Sequence, residues 1–183
     1  MATKSFNEAT LAEIVEHAGV TVGAFYRRFP DKDALLHHLD QRFFAELHER
    51  ADTLFDEARW AGRPIAAIVR ALADEATTMY RTRRGLLRSL FLRARVDPVI
   101  QATARQANAH LLARFRAVLA PRRSEIRHPD PDRAVTFGFM MLVGAIRETV
   151  IFGEVWPDVG AVADDRLPGE LTRMYLAYLG VGD

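Results

Sequence analysis

Apolar residues recur along most of the chain at three- and four-residue spacing, in stretches separated by glycine and proline. This spacing places apolar side chains on one side of an α-helix, where they can pack against a core. No segment alternates apolar and polar residues between hairpin-type turns, the pattern typical of strands. The sequence therefore predicts an all-α fold, with helices over residues 11–18, 22–29, 32–60 (an interruption near Arg50 is left open), 64–83, 86–95, 99–119, 131–155 and 167–179.

The first two predicted helices are short and closely spaced. Thr10 can cap the first of them, and Thr21 can cap the second. Between them, Gly19 supplies the left-handed conformation that ends a helix, and Val20 is expected to turn inward. Asp31 can cap the long helix that follows. Two short helices joined by a three-residue turn containing glycine form a helix-turn-helix.

The second helix of this motif presents two different faces. Phe25 and Phe29 anchor one face to the core, and at about 100° per residue Arg27 points nearly opposite Phe25. No acidic residue lies between residues 16 and 31, so Arg27 and Arg28 carry unopposed positive charge. Such a helix can enter the major groove of DNA, where arginine bonds either to guanine or to phosphate. The sequence leaves these two contacts open.

Residues of this segment at diagnostic offsets are Thr10, Ile14, Ala18, Gly19, Val20, Thr21, Gly23, Tyr26, Phe29, Pro30 and Lys32. Together they resemble the signature of the TetR family of transcription regulators, position for position. The resemblance implies a DNA-binding helix-turn-helix followed by a helical ligand-binding and dimerisation core. We accordingly expect two domains, over residues 1–46 and 47–183.

The resemblance also implies individual roles at the DNA. The residue matching Tyr26 contacts phosphate or base, the one matching Lys32 binds phosphate, and the one matching Thr10 contacts the DNA backbone. In the family the residue matching Val22 faces DNA. Helical periodicity alone would turn Val22 toward the Phe25 side. Because first-turn residues project past the core, we follow the family and expect Val22 to face DNA. The candidate DNA-binding residues are Thr10, Thr21, Val22, Gly23, Ala24, Tyr26, Arg27, Arg28 and Lys32.

TetR-family members carry one more helix before this motif, and it is missing from the sequence. Residues 4–10 resemble the junction after that helix, with Phe6 in the usual aromatic place. Without the cover of that preceding helix, we expect lower burial for the apolar side chains of Leu11, Ile14, Phe25 and Phe29. A misassigned start, a trimmed chain and a true loss are the alternatives. The last would leave a dimeric helical ligand-binding protein that no longer binds DNA, which is the alternative function.

The last two long helices are the candidates for dimerisation. Residues 131–155 are apolar around most of the helix circumference, which is typical of a central or interfacial helix. In TetR-like proteins the two final helices pair with their twins in a four-helix bundle; an ordinary intramolecular core is the alternative. The candidate interface residues are Phe139, Val143, Ile146, Val150, Leu171, Met174, Tyr175 and Tyr178.

Family members bind small, mostly apolar or aromatic effectors among the middle helices. The candidates in this chain are Met79, Tyr80, Phe91, His110, Phe115, Phe137, Met141 and Arg147. Methionine and aromatic residues more often belong to a core than to a pocket. A nearby basic run consists of Arg81, Arg83, Arg84, Arg88, Arg93 and Arg95. A solvated face is favoured for this run over contact with an anionic effector or DNA.

Composition narrows the class of protein further. The chain has 183 residues, a net charge of +1 and no cysteine, which excludes disulfides and thiolate metal sites. Its first fifty residues hold six Lys or Arg against eight Asp or Glu, so this part has no overall basic field. Because no apolar run approaches the length of a membrane helix and no secretory stretch or catalytic motif occurs, we expect a cytoplasmic regulator. We expect no enzymatic activity, no bound metal or cofactor and no association with a membrane. The expected partners are operator DNA, a small effector and a second copy of the chain, in a repressor that the effector releases.

Overall fold

The computed structural model describes residue 6, residues 8–156, residue 158 and residues 165–181. Every regular element in these ranges is helical, which confirms the all-α prediction. The α-helices are α1 (Leu11–His17), α2 (Val22–Arg28), α3 (Lys32–Leu54), α4 (Ile65–Thr82), α5 (Arg84–Arg93), α6 (Pro98–Leu119), α7 (Pro131–Ile146) and α8 (Leu167–Leu179). A 3-10 turn over Ala120–Glu125 follows α6, and α7 continues into a π turn over Arg147–Ile151 and a 3-10 turn over Gly153–Val155.

Side-chain caps fix where α6 and α7 begin. The carboxylate of Asp97 accepts a hydrogen bond from the N–H of Val99 at 3.0 Å, and that of Asp130 accepts one from Arg133 at 3.1 Å. Each cap satisfies a backbone donor that the helix itself leaves unpaired. Both helices then start with proline, which has no N–H to lose in the first turn.

Helix α4 lies at the centre of the core, where it packs against α5, α7, α8 and the π turn. Its buried apolar side chains include Ile65, Ile68, Val69, Leu72, Ala73 and Ala76. Helix α6 packs along α3 and contributes Phe115, whose ring lies 5.4 Å from that of Phe55 and 5.6 Å from that of Phe139. Through this packing α6 connects the core to α3, the long helix that follows the helix-turn-helix.

Helix α3 is shorter than predicted, since it runs unbroken through Arg50 but ends at Leu54 rather than near residue 60. The indole Nε1 of Trp60 donates to the carbonyl oxygen of Leu54 at 2.6 Å. The guanidinium of Arg114, on α6, donates to the carbonyl oxygen of Phe55 at 3.3 Å. These side chains satisfy carbonyls at the helix end, which otherwise have no intrahelical partner.

The segment predicted as one helix over residues 131–155 changes helix type after Ile146. Five residues form the π turn, and the N–H of Phe152 donates to the carbonyl oxygen of Arg147 at 3.3 Å. The stretch Pro131–Ile151 is long and apolar enough to cross a membrane by length and composition alone. The expectation that no apolar run has this length is therefore wrong, although core helices pass the same test and this stretch is partly buried.

Candidate nucleic-acid interface

Local hydrogen bonds build the first half of the helix-turn-helix as predicted. Thr10 and Glu13 form a reciprocal cap, in which the N–H of Glu13 donates to the Thr10 hydroxyl and the N–H of Thr10 donates to the Glu13 carboxylate. At the other end of α1, Gly19 adopts a φ of +65°. The N–H of Val20 then donates to the carbonyl oxygen of Val15 at 3.0 Å, which closes the helix end.

Helix α2 is held by a cap at its start and an aromatic side chain beneath it. The Thr21 hydroxyl accepts a hydrogen bond from the N–H of Ala24 at 3.1 Å. Phe25 is buried, and its ring lies 5.6 Å from that of Phe29. Phe29 has an extended backbone, as expected for a residue before proline, so α2 ends at Arg28.

The burial of these side chains corrects two expectations. Phe25 is only 6% exposed, so it keeps its cover, whereas Leu11, Ile14 and Phe29 are half-buried. Val20 does not turn inward, because 47% of its surface is exposed. Val20 follows the αL turn at Gly19, and its backbone N–H closes the end of α1 while its side chain stays at the surface.

The outer face of α2 carries most of the predicted DNA-binding residues. Val22 and Tyr26 are large side chains that remain 46% and 56% exposed. Arg27 and Arg28 are exposed beside them, and the guanidinium of Arg28 lies 5.5 Å from the ring centroid of Phe29. The ring of Tyr26 meets the buried Phe25 ring edge-on at 5.3 Å. This face combines positive charge with apolar surface that nothing in the described part of the chain covers.

Gly23 leaves the backbone of α2 open at its first turn. A Cβ atom at this position would meet only the Thr21 hydroxyl, at 3.9 Å, so the fold itself has room for a side chain. Glycine inside a helix costs about 1 kcal/mol relative to alanine. Packing within the chain does not require a glycine at this position. Close approach of another molecule to the first turn of α2 would require one.

The amino group of Lys32 is engaged within the protein. Its Nζ donates to the carbonyl oxygen of Ala9 at 2.6 Å and lies 5.0 Å from the ring centroid of Phe6. The N–H of Phe6 in turn donates to the hydroxyl of Ser89, on α5, at 2.9 Å. Lys32 thus fastens the segment before α1 to the start of α3, and its phosphate contact stays a prediction.

Charged side chains join the start of α3 to α5 and α6. His37 bonds to Asp97 across 2.7 Å, and Arg93 pairs with both Asp97 and Asp33. The hydrogen bond from His37 is the main reason that the pKa of Asp97 lies below its ordinary value. Asp40, one turn along α3, is buried, and burial raises its pKa to about 6. This polar junction connects the helix-turn-helix to the core.

The predicted effector residues do not form one site. Phe91 and Arg147 line a cleft of about 600 Å³ between α5, α6 and the π turn. Tyr80 and Phe115 are buried in the core, and burial raises the pKa of the Tyr80 hydroxyl to about 12. The other candidates lie elsewhere: Met79 lines a smaller hollow with Phe43, His110 bonds to Asp52, and Phe137 and Met141 are exposed.

The predicted interface residues divide between core and surface. Those in the chain's own core are Phe139, Ile146, Val150, Leu171 and Tyr175, while Val143 is half-buried. Met174 and Tyr178 are exposed. Sequence reasoning missed Met140, which is 62% exposed near Phe137 and Met141. Met140 and Met141 follow Phe137 by three and four residues, which was a usable signal, but α7 is apolar on nearly all sides, which obscured the outward face.

Among the described residues no group of His, Asp and Glu could hold a metal ion. Residues 1–39 match the family model described as bacterial regulatory proteins of the tetR family. A search of curated proteins and a search of solved structures each gave no significant match. The matched residues include α1, the turn and α2, together with the start of α3. The chain thus begins with a TetR-type helix-turn-helix, which supports its assignment to the TetR family of DNA-binding regulators.

Proposed function

We propose that this protein is a transcriptional repressor that binds operator DNA as a homodimer and is released by a small effector. The observation that carries the proposal is the exposed, acid-free outer face of α2, which lies inside the segment that matches the family. Arg27 and Arg28 supply charge for guanine or phosphate, and Val22 supplies apolar surface for a thymine methyl group. Gly23 lets the first turn of the helix approach the groove closely.

The proposed dimer uses the outward face of α7 and α8. This face consists of Phe137, Met140, Met141, Met174 and Tyr178, all of them exposed. The rings of Phe137 and Tyr178 lie 5.6 Å apart, so the two helices offer one continuous apolar surface. Exposed apolar patches of this kind mark interaction sites. A two-fold dimer also suits the function, because it can place two recognition helices about 34–36 Å apart, one turn of DNA.

Effector release requires a connection between the core and α2, and α3 is the proposed lever. The division predicted between residues 46 and 47 falls inside this continuous helix. We therefore propose that its first half belongs to the DNA-binding domain and its second half to the core. An effector that prefers one spacing of the two α2 helices shifts the dimer away from its operator-bound state. The proposed location is the cytoplasm, and no enzymatic activity is proposed.

A mobility-shift assay with DNA from upstream of the protein's own gene tests DNA binding. Arg27→Ala should weaken binding by about 1–3 kcal/mol if Arg27 reads a base. Arg42→Ala is the matched control, because Arg42 is an exposed arginine on α3, outside the outer face of α2. We expect the control to bind almost as tightly as the unchanged protein.

Two outcomes would contradict the proposal. If the unchanged protein shifts no DNA at low salt, where phosphate contacts are strongest, the alternative of a ligand-binding dimer without DNA binding replaces it. If Arg27→Ala and Arg42→Ala weaken binding equally, Arg27 contributes only through its general charge and α2 is not the reading helix.

A further inference from the structure

The cleft between α5, α6 and the π turn has the size of a ligand site. Its volume of about 600 Å³ is in the range of pockets that take small organic molecules. Phe91 and Phe152 contribute aromatic wall, and Leu92, Ala94 and Ala104 add aliphatic surface. The cleft therefore has room and apolar area for the body of an organic ligand.

The charged residues of the cleft are mainly basic. Arg95, Arg105 and Arg147 line it, against the single acid Glu148. Glu148 approaches Arg147 only loosely, with 3.9 Å between Oε1 and Nε. Among the residues that the structure describes, neither Arg95 nor Arg105 has a side-chain hydrogen bond or ion pair. The cleft thus carries an excess of positive charge that no described acid neutralises.

Arg95 differs from the other arginines of the basic run. Arg81 pairs with Asp165, Arg83 with Glu46, and Arg84 and Arg88 with Glu154, while Arg93 pairs with Asp33 and Asp97. Five of the six arginines in the run are therefore engaged in ion pairs inside the chain. The remaining one, Arg95, faces the cleft that Arg105 and Arg147 also line. Arg95 is exposed, so its guanidinium is accessible to a ligand in the cleft.

One aromatic ring supports Arg147, the third arginine of the cleft. The guanidinium carbon of Arg147 lies 5.7 Å from the ring centroid of Phe91, within the range of a cation–π contact. This contact leaves the N–H groups of the guanidinium available to a ligand. Arginine is well suited to carboxylate and phosphate, since its planar fork can donate two parallel hydrogen bonds.

We propose that this cleft binds an anionic amphipathic small molecule, with a carboxylate or phosphate head held by Arg95, Arg105 and Arg147 and an apolar body against Phe91 and Phe152. This inference rests on the proposed effector function and specifies the chemical class of the effector. Both heads offer the same acceptor oxygens, so the ligand assay must compare them. A neutral ligand of the same body would leave the charges of Arg95 and Arg105 without a partner.

Isothermal titration calorimetry on the full chain, without DNA, tests the ligand class. The probes are decanoate and decyl phosphate below their micellar concentrations, with 1-decanol as the neutral counterpart. We expect at least one anion to bind about 10- to 100-fold more tightly than 1-decanol, the range given by charge-assisted hydrogen bonds. The double variant Arg95→Gln/Arg105→Gln should lose most of that difference. Arg42→Gln/Arg133→Gln, two exposed arginines outside the cleft, is the matched control and should keep it.

The outcomes separate this inference from the proposed function. Equal binding of 1-decanol and the anions, no binding of either anion, or an unchanged double variant would overturn the ligand class. Weaker DNA binding by the double variant in the absence of ligand would also overturn it, because the arginines would then contact DNA. If an anion binds through Arg95 and Arg105 but leaves the protein–DNA complex intact, the ligand class stands and effector release fails.

Discussion

The carboxyl group of Asp40 is buried between α3 and α6, and only 1% of the residue is exposed. Its Oδ1 has no hydrogen-bond partner among the described residues. Burial raises the pKa of Asp40 to about 6, against smaller opposing effects of Thr103 and His37, while the charge of Asp97 raises it further. Ionised Asp40 therefore costs stability, and the protonated form is the one that the folded protein favours.

The sign of this effect sets a pH-dependent prediction. Below the ordinary pKa of 3.8, Asp40 is protonated in both the folded and the unfolded chain, so it carries no penalty. Between that pH and about 6 the unfolded chain is ionised while the folded protein keeps the proton, so stability falls over this range and the loss is complete above pH 6. Asp40→Asn should therefore raise the free energy of unfolding at pH 7.5, by roughly 1–3 kcal/mol, and change it little at pH 4.

Urea denaturation at both pH values measures this difference. Asp132→Asn is a control of opposite sign, because its hydrogen bonds from Arg123 hold the pKa of Asp132 below its ordinary value. That substitution should gain no stability at pH 7.5. A gain from Asp40→Asn that is equal at the two pH values would mean that burial of the charge is not its cause.

At the scale of elements, the contact between α7 and α8 depends on one glycine. A Cβ atom on Gly138 would lie 1.8 Å from Cε2 of the Tyr175 ring. Tyr175 cannot turn aside easily, because it is buried and its hydroxyl donates to the carbonyl oxygen of Val135. Gly138 therefore sets the distance between two helices that also carry the proposed dimer surface.

Gly138→Ala should separate α7 from α8 and lower the free energy of unfolding by about 1–3 kcal/mol, the usual cost of overpacking. Gly169→Ala, on α8, is the matched control, because its nearest neighbour is the flexible Arg70 side chain at an ordinary 3.5 Å. Urea denaturation of the two variants measures the difference. Equal stability of the two would show that the helix pair adjusts to the added methyl group.

At the scale of the whole molecule, the two faces with proposed functions lie far apart along the chain. The outer face of α2 is proposed for DNA, and the outward face of α7 and α8 for a second copy. Helix α3 and the His37–Asp97 and Arg93–Asp33 pairs join the part that carries α2 to the core. A regulator needs this division, because dimerisation must orient α2 without covering it.

The proposed dimer predicts a change of mass in solution. Met140→Glu combined with Met174→Glu places two charges in the outward apolar face and should convert a dimer into a monomer, since an unpaired buried charge is costly. Size-exclusion chromatography with light scattering measures the mass. Val96→Glu, at a valine that is 78% exposed elsewhere, should leave the dimer unchanged. A double variant that remains dimeric would exclude this face as the interface.

Local signals made the helix-turn-helix predictable. The caps at Thr10 and Thr21 and the αL turn at Gly19 depend on residues within a few positions of one another. The end of α3 could not be predicted in this way, because it depends on hydrogen bonds from Trp60 and Arg114. Arg114 is 59 positions from the carbonyl to which it donates, and no local pattern reveals such a pair.

The same distinction applies to the helices of the core. Spacing alone identified α7 as buried or interfacial, but a helix that is apolar on nearly all sides does not reveal which side faces outward. Tertiary packing placed Phe139 and Tyr175 inside and left Met140 and Tyr178 exposed. It also paired most of the basic run with distant acids and left Arg95 at the cleft.

The sequence by itself determined the helical fold class, the helix-turn-helix and the charge of α2, because helix periodicity, capping and turn chemistry act over a few residues. Only the tertiary structure decided the buried state of Asp40, the outward face of α7 and the charge of the cleft. Burial and ion pairing join residues that are far apart in the chain, so they depend on how the helices pack. The helix-turn-helix is a local property of this protein, whereas the proposed dimer surface and the proposed effector cleft are properties of the packed molecule.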